Sequence, residues 1–101
     1  MKVSRSASPE SARHLEESGA TGRTLTVDRA GRDQRRRDNM RGTQTRSGTD
    51  RDESPPAVFR ESQNASVRNI PSSDNRSSGA QIGNQIRNVP DGGRCRIEIC
   101  D

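Results

Sequence analysis

Residues 43–81 read TQTRSGTDRDESPPAVFRESQNASVRNIPSSDNRSSGAQ, and the kind of fold expected of the whole chain turns on this stretch. Its only bulky apolar side chains are Val58, Phe59, Val67 and Ile70. Nearly everything else is Ser, Thr, Asn, Arg, Asp or Pro, with neither the period of an amphipathic helix nor the alternation of a half-buried strand. It reads as a polar linker. With its middle a linker, the chain would have to build a core from its two flanks alone.

The flanks are little richer. Of 101 residues, 15 are Val, Ile, Leu, Met or Phe; Trp and Tyr are absent and Phe59 is the one aromatic. Leu, Ile, Val and Phe make up 13 of the 101, below the roughly one-fifth that marks disorder-prone compositions. Burying so few bulky side chains does not offset the entropy of ordering the backbone. The expectation is therefore an intrinsically disordered single chain, 1–101, without a globular core. The net charge is only +4, so this disorder would come from low hydropathy and not from self-repulsion.

Three segments stand out. Over 9–18, Ser8 suits an N-cap, Pro9 the first helical position and Gly19 a C-terminal stop, which predicts a weak helix. Residues 28–42 form an arginine-rich segment: Asp28 could cap a transient helix over 29–41, and Asp33 and Arg37 sit at i,i+4. Residues 82–100 form a semi-ordered segment. Ile82, Ile86 and Val89 have helical spacing, Pro90–Gly93 signals a turn, and Cys95, Ile97 and Ile99 alternate with Arg94, Arg96 and Glu98. This predicts a marginal hairpin or strand over 85–99, able to add to a partner's sheet edge through Cys95, Ile97 and Ile99.

The charge is unevenly placed. Arg29, Arg32, Arg35, Arg36, Arg37 and Arg41 face only Asp33 and Asp38 within 29–41, so this window carries the whole net charge of +4. Arginine-rich segments contact nucleic-acid phosphates, and weak, sequence-nonspecific binding of RNA or DNA is expected there. Arg35–Arg37 would equally serve as a nuclear localisation signal. The 17 Arg against one Lys also fit codon bias.

Ser8 and Ser54 each have Arg at −3 and Pro at +1, making them candidate phosphorylation sites. Cys95 and Cys100 are too few and His14 too distant for a zinc site. No cofactor is expected, and the chain is expected to be a monomer unless Cys95 or Cys100 is oxidised. No apolar h-region or membrane span is present, so an intracellular location, cytoplasmic and/or nuclear and not secreted, is expected.

A chain without a core cannot hold preorganised catalytic groups, so the sequence reads as no enzyme. The function expected is that of a disordered interaction or regulatory protein acting through short segments on a protein partner, such as a viral accessory or alternative-frame product. The alternatives are nucleic-acid contact through 29–41 and a reading frame with little evolved function.

Overall fold

A computed structural model describes residues 1–101. In chain order the elements are β1 (Lys2–Ser4), α1 (Pro9–Glu17), β2 (Leu25–Thr26), α2 (Arg32–Met40), β3 (Thr49–Ser54), a 3₁₀ turn (Arg60–Ser62), β4 (Ser66–Pro71), α3 (Ser72–Ile86), β5 (Arg94–Cys95) and β6 (Glu98–Cys100). β1 pairs with β6 in parallel, β2 with β5 antiparallel, and β3 with β4 antiparallel. The longest pairing is β3–β4, in register from Thr49 opposite Pro71 to Ser54 opposite Ser66. α3 follows β4 with no intervening residue and packs on both strands and on α1.

The expectation of disorder is overturned. The Cα radius of gyration is 12.4 Å, against about 13 Å for a compact domain of 100 residues and about 30 Å for an unfolded one. Val3, Leu15, Ala20, Leu25, Val27, Phe59, Ile82, Ile86 and Ile97 form one buried cluster. They come from both ends and the middle of the chain, and no large hydrophobic residue is left exposed.

What the composition concealed is that this core is completed by small and polar side chains. Ser8, Ser11, His14, Ser54, Ser62 and Ser78 are buried beside Ala12 and Ala57. No buried side-chain nitrogen or oxygen lacks a hydrogen-bond partner. A buried polar group is costly only when unpaired, so satisfied serines fill volume that a count of bulky apolar residues assigns to solvent.

The predicted segments are corrected in turn. Helices stand at 9–17 and 32–40, close to the expected positions, but as packed elements and not transient ones. α1 ends at Gly19, which takes φ +78°, with the Ala20 amide donating to the Leu15 carbonyl at 3.0 Å. The supposed linker 43–81 contains β3, the 3₁₀ turn, β4 and most of α3. The hairpin expected over 85–99 does not form. Ile82 and Ile86 belong to α3, while β5 and β6 pair with β2 and β1 of the same chain. Ile97 is buried, and Cys95 and Ile99 pack against the core, so these side chains serve this chain's own fold.

Candidate functional site

The sequence Asp50-Arg-Asp-Glu53 lies on β3, and strand alternation sends its side chains to opposite faces. Asp52 reaches α1: its Oδ2 lies 2.6 Å from His14 Nδ1. Glu53 reaches α2: Asn39 Nδ2 donates to its Oε2 at 2.8 Å. Thus α1 and α2 flank the hairpin on its two faces. Asp50, on the face of Asp52, accepts from Ser72 Oγ at 2.9 Å and from Asn75 Nδ2 at 3.1 Å, with Arg76 Nε 3.6 Å away.

These three carboxyls differ in acidity. Hydrogen bonds from Asn75 and Ser72 hold Asp50 below its ordinary value. Burial pushes Asp52 up, outweighing the hydrogen bond from His14. Burial likewise pushes Glu53 up, against the Asn39 amide and the charge of Arg36. A carboxyl whose proton affinity is raised by burial is a better proton acceptor once ionised.

Asp52 and Glu53 line a cleft between α2 and α3. Arg29, Arg32 and Arg36 stand on one side; Asn75, Gly79, Gly83 and Arg87 stand on the other. A Cβ added at Gly79 or Gly83 would meet nothing within 4 Å. An adjoining hollow continues over α2 past Arg36, Arg37, Arg41 and Arg51.

The arginines named from sequence divide sharply. Arg29 donates to the carbonyls of Ile86 and Val89 and pairs with Asp91, tying α3's end to the loop before α2. Arg35 donates to the Ala57 carbonyl at 2.9 Å and to Asp28. Arg37 donates to Gln34, and Arg41 pairs with Asp38 3.1 Å away. Arg32 lies 3.7 Å from its neighbour Asp33. Arg36 is exposed, and its charge bears on both Asp50 and Glu53. It forms neither an ion pair nor a hydrogen bond. Of Arg35–Arg37, Arg35 is folded against Asp28 and Ala57, while Arg36 and Arg37 are exposed.

The two candidate phosphorylation sites are buried, Ser8 at 0% and Ser54 at 2% exposure. Ser8 Oγ accepts from Gln81, and Ser54 Oγ lies 2.6 Å from Ser18 Oγ. The accessibility their modification would need is absent from the fold. Cys95 and Cys100 are half-buried free thiols, and burial pushes Cys95 up. No three His, Cys, Asp or Glu side chains converge as a metal cage. No helix is long and apolar enough to cross a membrane.

The chain is similar to the DNA-entry nuclease of Bacillus subtilis (strain 168). The two are 36% identical over 94 residues, covering 90% of this chain and 64% of that protein's length. The chain therefore spans less than two thirds of the relative it matches. No family model matches.

This similarity, with the packed fold, overturns the expectations of a disordered regulatory protein and of no enzyme. Both rested on the absence of a scaffold, and the scaffold exists. His14, Asp52, Glu53 and Asn75, which build this candidate site, were not named as site residues from the sequence. The available signal was Asp50–Glu53, with three acids in four residues, but an all-polar strand gives no apolar alternation to mark it as one.

Proposed function

We propose that the protein hydrolyses phosphodiester bonds of DNA in the cleft between α2 and α3. The observation that carries this is the meeting, in one cleft, of two carboxyls raised by burial, Asp52 and Glu53, with the unpaired guanidinium of Arg36. The name of the Bacillus subtilis relative supplies the substrate class.

Arg36 binds a phosphate of the backbone and offsets the charge that gathers on its oxygens in the transition state. Asp52, ionised, takes a proton from a water molecule as the water oxygen bonds to phosphorus. The bond from phosphorus to one ester oxygen breaks, and solvent protonates that oxygen as it leaves. Glu53, on the opposite face of β3 and fixed there by Asn39, lines the far side of the cleft, where it holds solvent beside the leaving oxygen. No aromatic side chain lines the cleft, so bases are not stacked there and recognition runs through the backbone. Cleavage should be indifferent to sequence.

Nicking of a plasmid by the wild type, Asp52→Asn and Glu53→Gln tests this. The wild type is expected to cleave. Each variant is expected to lose at least about 100-fold in kcat while its Kd for DNA stays within a few-fold. A wild type that binds DNA but never cuts it, or an Asp52→Asn variant that cuts as fast, would overturn the proposal.

A further inference from the structure

His14 is fully buried at 0% exposure, and both ring nitrogens are engaged. Nδ1 lies 2.6 Å from Asp52 Oδ2 and Nε2 lies 2.9 Å from Ser66 Oγ. An ionised Asp52 makes Nδ1 the donor, and the Ser66 hydroxyl can satisfy Nε2 whether it must donate or accept. The ring thus joins α1 to both strands of the hairpin. It holds one oxygen of Asp52, whose other oxygen forms no hydrogen bond with the protein.

The order Ser66–His14–Asp52 has the connectivity of a nucleophilic triad, but the ring has no accessible surface. A triad histidine must pass its proton to a leaving group, and His14 cannot reach one. Neither Ser66 nor His14 lines the cleft. The relation that remains is the one between His14 and Asp52.

We infer that His14 is a positioning residue for Asp52, fixing the orientation of that carboxylate from behind the cleft. This rests on the reading of Asp52 as the base that activates water. A donor fixed on one oxygen confines the carboxylate to one rotamer and aims the other oxygen, and a misplacement of about 1 Å at a reacting group costs roughly 100-fold in rate. The donor also favours the charged form, so its loss raises the carboxyl further. The other charges around Asp52 are Arg68 from β4, Asp50 and Glu53 on its own strand, Arg35 and Arg36 from α2 near Glu53, and Arg76 from α3 near Asp50. None of these is changed by substitution at position 14.

The test compares wild type, His14→Ala, His14→Asn and Ser66→Ala. An Asn amide can place a donor close to Nδ1, so His14→Asn should restore what His14→Ala loses. His14→Ala is expected to lose roughly 100-fold in kcat with little change in KM, because the ring touches no substrate. The acid limb of its pH–rate profile should move to higher pH, since the ionised base is then reached later, and His14→Asn should lie between the two.

The ¹³C titration of the Asp52 carboxyl in DNA-free protein gives a readout without activity. Its midpoint should rise in His14→Ala and rise less in His14→Asn. An unchanged midpoint in folded His14→Asn and His14→Ala, with kcat within two-fold of wild type, overturns the inference. So does a Ser66→Ala variant as inactive as Asp52→Asn, which would make Ser66 the nucleophile. If His14→Ala does not fold, His14→Asn and Ser66→Ala decide the matter by the same midpoint. A shifted midpoint in a wild type that never cleaves DNA would sustain the positioning role and sink the proposed activity alone.

Discussion

Glu53 is buried with Asn39 donating to one oxygen and Arg36 lending opposite charge, yet burial still pushes its carboxyl above the ordinary range. A carboxyl raised in the folded state contributes stability that is complete below its unfolded pKa, about 4.3, and is lost as pH rises through the folded value. At pH 7 the ionised side chain therefore destabilises the fold. Glu53→Gln keeps the shape and removes the charge. It is expected to be more stable than wild type by about 1 kcal/mol at pH 7, with the gain vanishing near pH 4, while activity is lost. Urea midpoints at the two pH values check this; an equal or lower midpoint at pH 7 would show that Asn39 and Arg36 outweigh burial. Asp50, held low by Asn75 and Ser72, has the opposite sign: its contribution is present at neutral pH and lost on acidification.

Two adjacent arginines make a second residue-scale prediction. Arg35 has a side chain 12% exposed and donates to Asp28 and the Ala57 carbonyl. Arg35→Gln leaves these acceptors short and should cost about 2–3 kcal/mol of stability. Arg36→Gln breaks no contact and should stay within about 0.5 kcal/mol of wild type, while binding DNA more weakly. Chemical denaturation and DNA-binding titrations of the pair should therefore give crossed results. Equal stability losses would mean that Arg36 is also structural.

At the scale of the element, α3 carries Ser78, Ile82 and Ile86 at four-residue spacing, buried at the floor of the cleft, with Gly79 and Gly83 exposed on its wall. A methyl group at either glycine meets open space, and neither glycine has a positive φ. Gly83→Ala should stabilise α3 by about 0.5–1 kcal/mol, since glycine is the poorer helix former. Gly83→Leu adds bulk to the cleft itself and should weaken DNA binding while the fold stands. Thermal melts with binding titrations separate the two effects; undiminished binding by Gly83→Leu would place the DNA elsewhere.

These same features explain what the sequence disclosed. α1 was legible because Ser8, Pro9 and Gly19 punctuate it; α2 was placed from Asp28 and an Asp33–Arg37 pair, but Gly31 stands at its N-cap, Asp33 lies beside Arg32 and Arg37 donates to Gln34. The first ten residues of α3 were not legible, because Ser78 stands where an apolar residue would have extended the Ile82–Ile86 period backwards. β3 was illegible for a related reason. Its buried residues are Asp52, Glu53 and Ser54, and a strand covered on both faces by polar side chains looks like a loop. The candidate site was hidden in that strand, whereas its arginine wall, Arg29–Arg41, was plain from charge alone.

For the whole molecule, the cleft gathers Arg29, Arg32, Arg36, Arg51 and Arg87 against Asp52 and Glu53, so much of the excess positive charge faces one place. Glu16 and Glu17 are paired on far elements, in Arg5–Glu16, Arg13–Glu17 and Arg68–Glu17, while Asp91 and Asp33 offset Arg29 and Arg32 at the cleft itself. Arg29 and Arg51 line the cleft but spend their donors on carbonyls of Ile86, Val89, Met40 and Thr43. Arg32, Arg36 and Arg87 are the exposed cleft guanidiniums bound to no other element of the fold. Each phosphate neutralised on duplex DNA adds about −0.9 to the slope of log Kobs against log salt. Three such contacts give a slope of about −3, and Arg36→Gln should reduce its magnitude by about 1 uniformly across DNA sequences. Equilibrium binding of Asp52→Asn to duplexes of different sequence over a salt series measures this without cleavage. A slope near zero would remove the backbone contact on which the catalytic proposal depends. A slope unchanged by Arg36→Gln would move that contact to Arg32 and Arg87, away from the carboxyls.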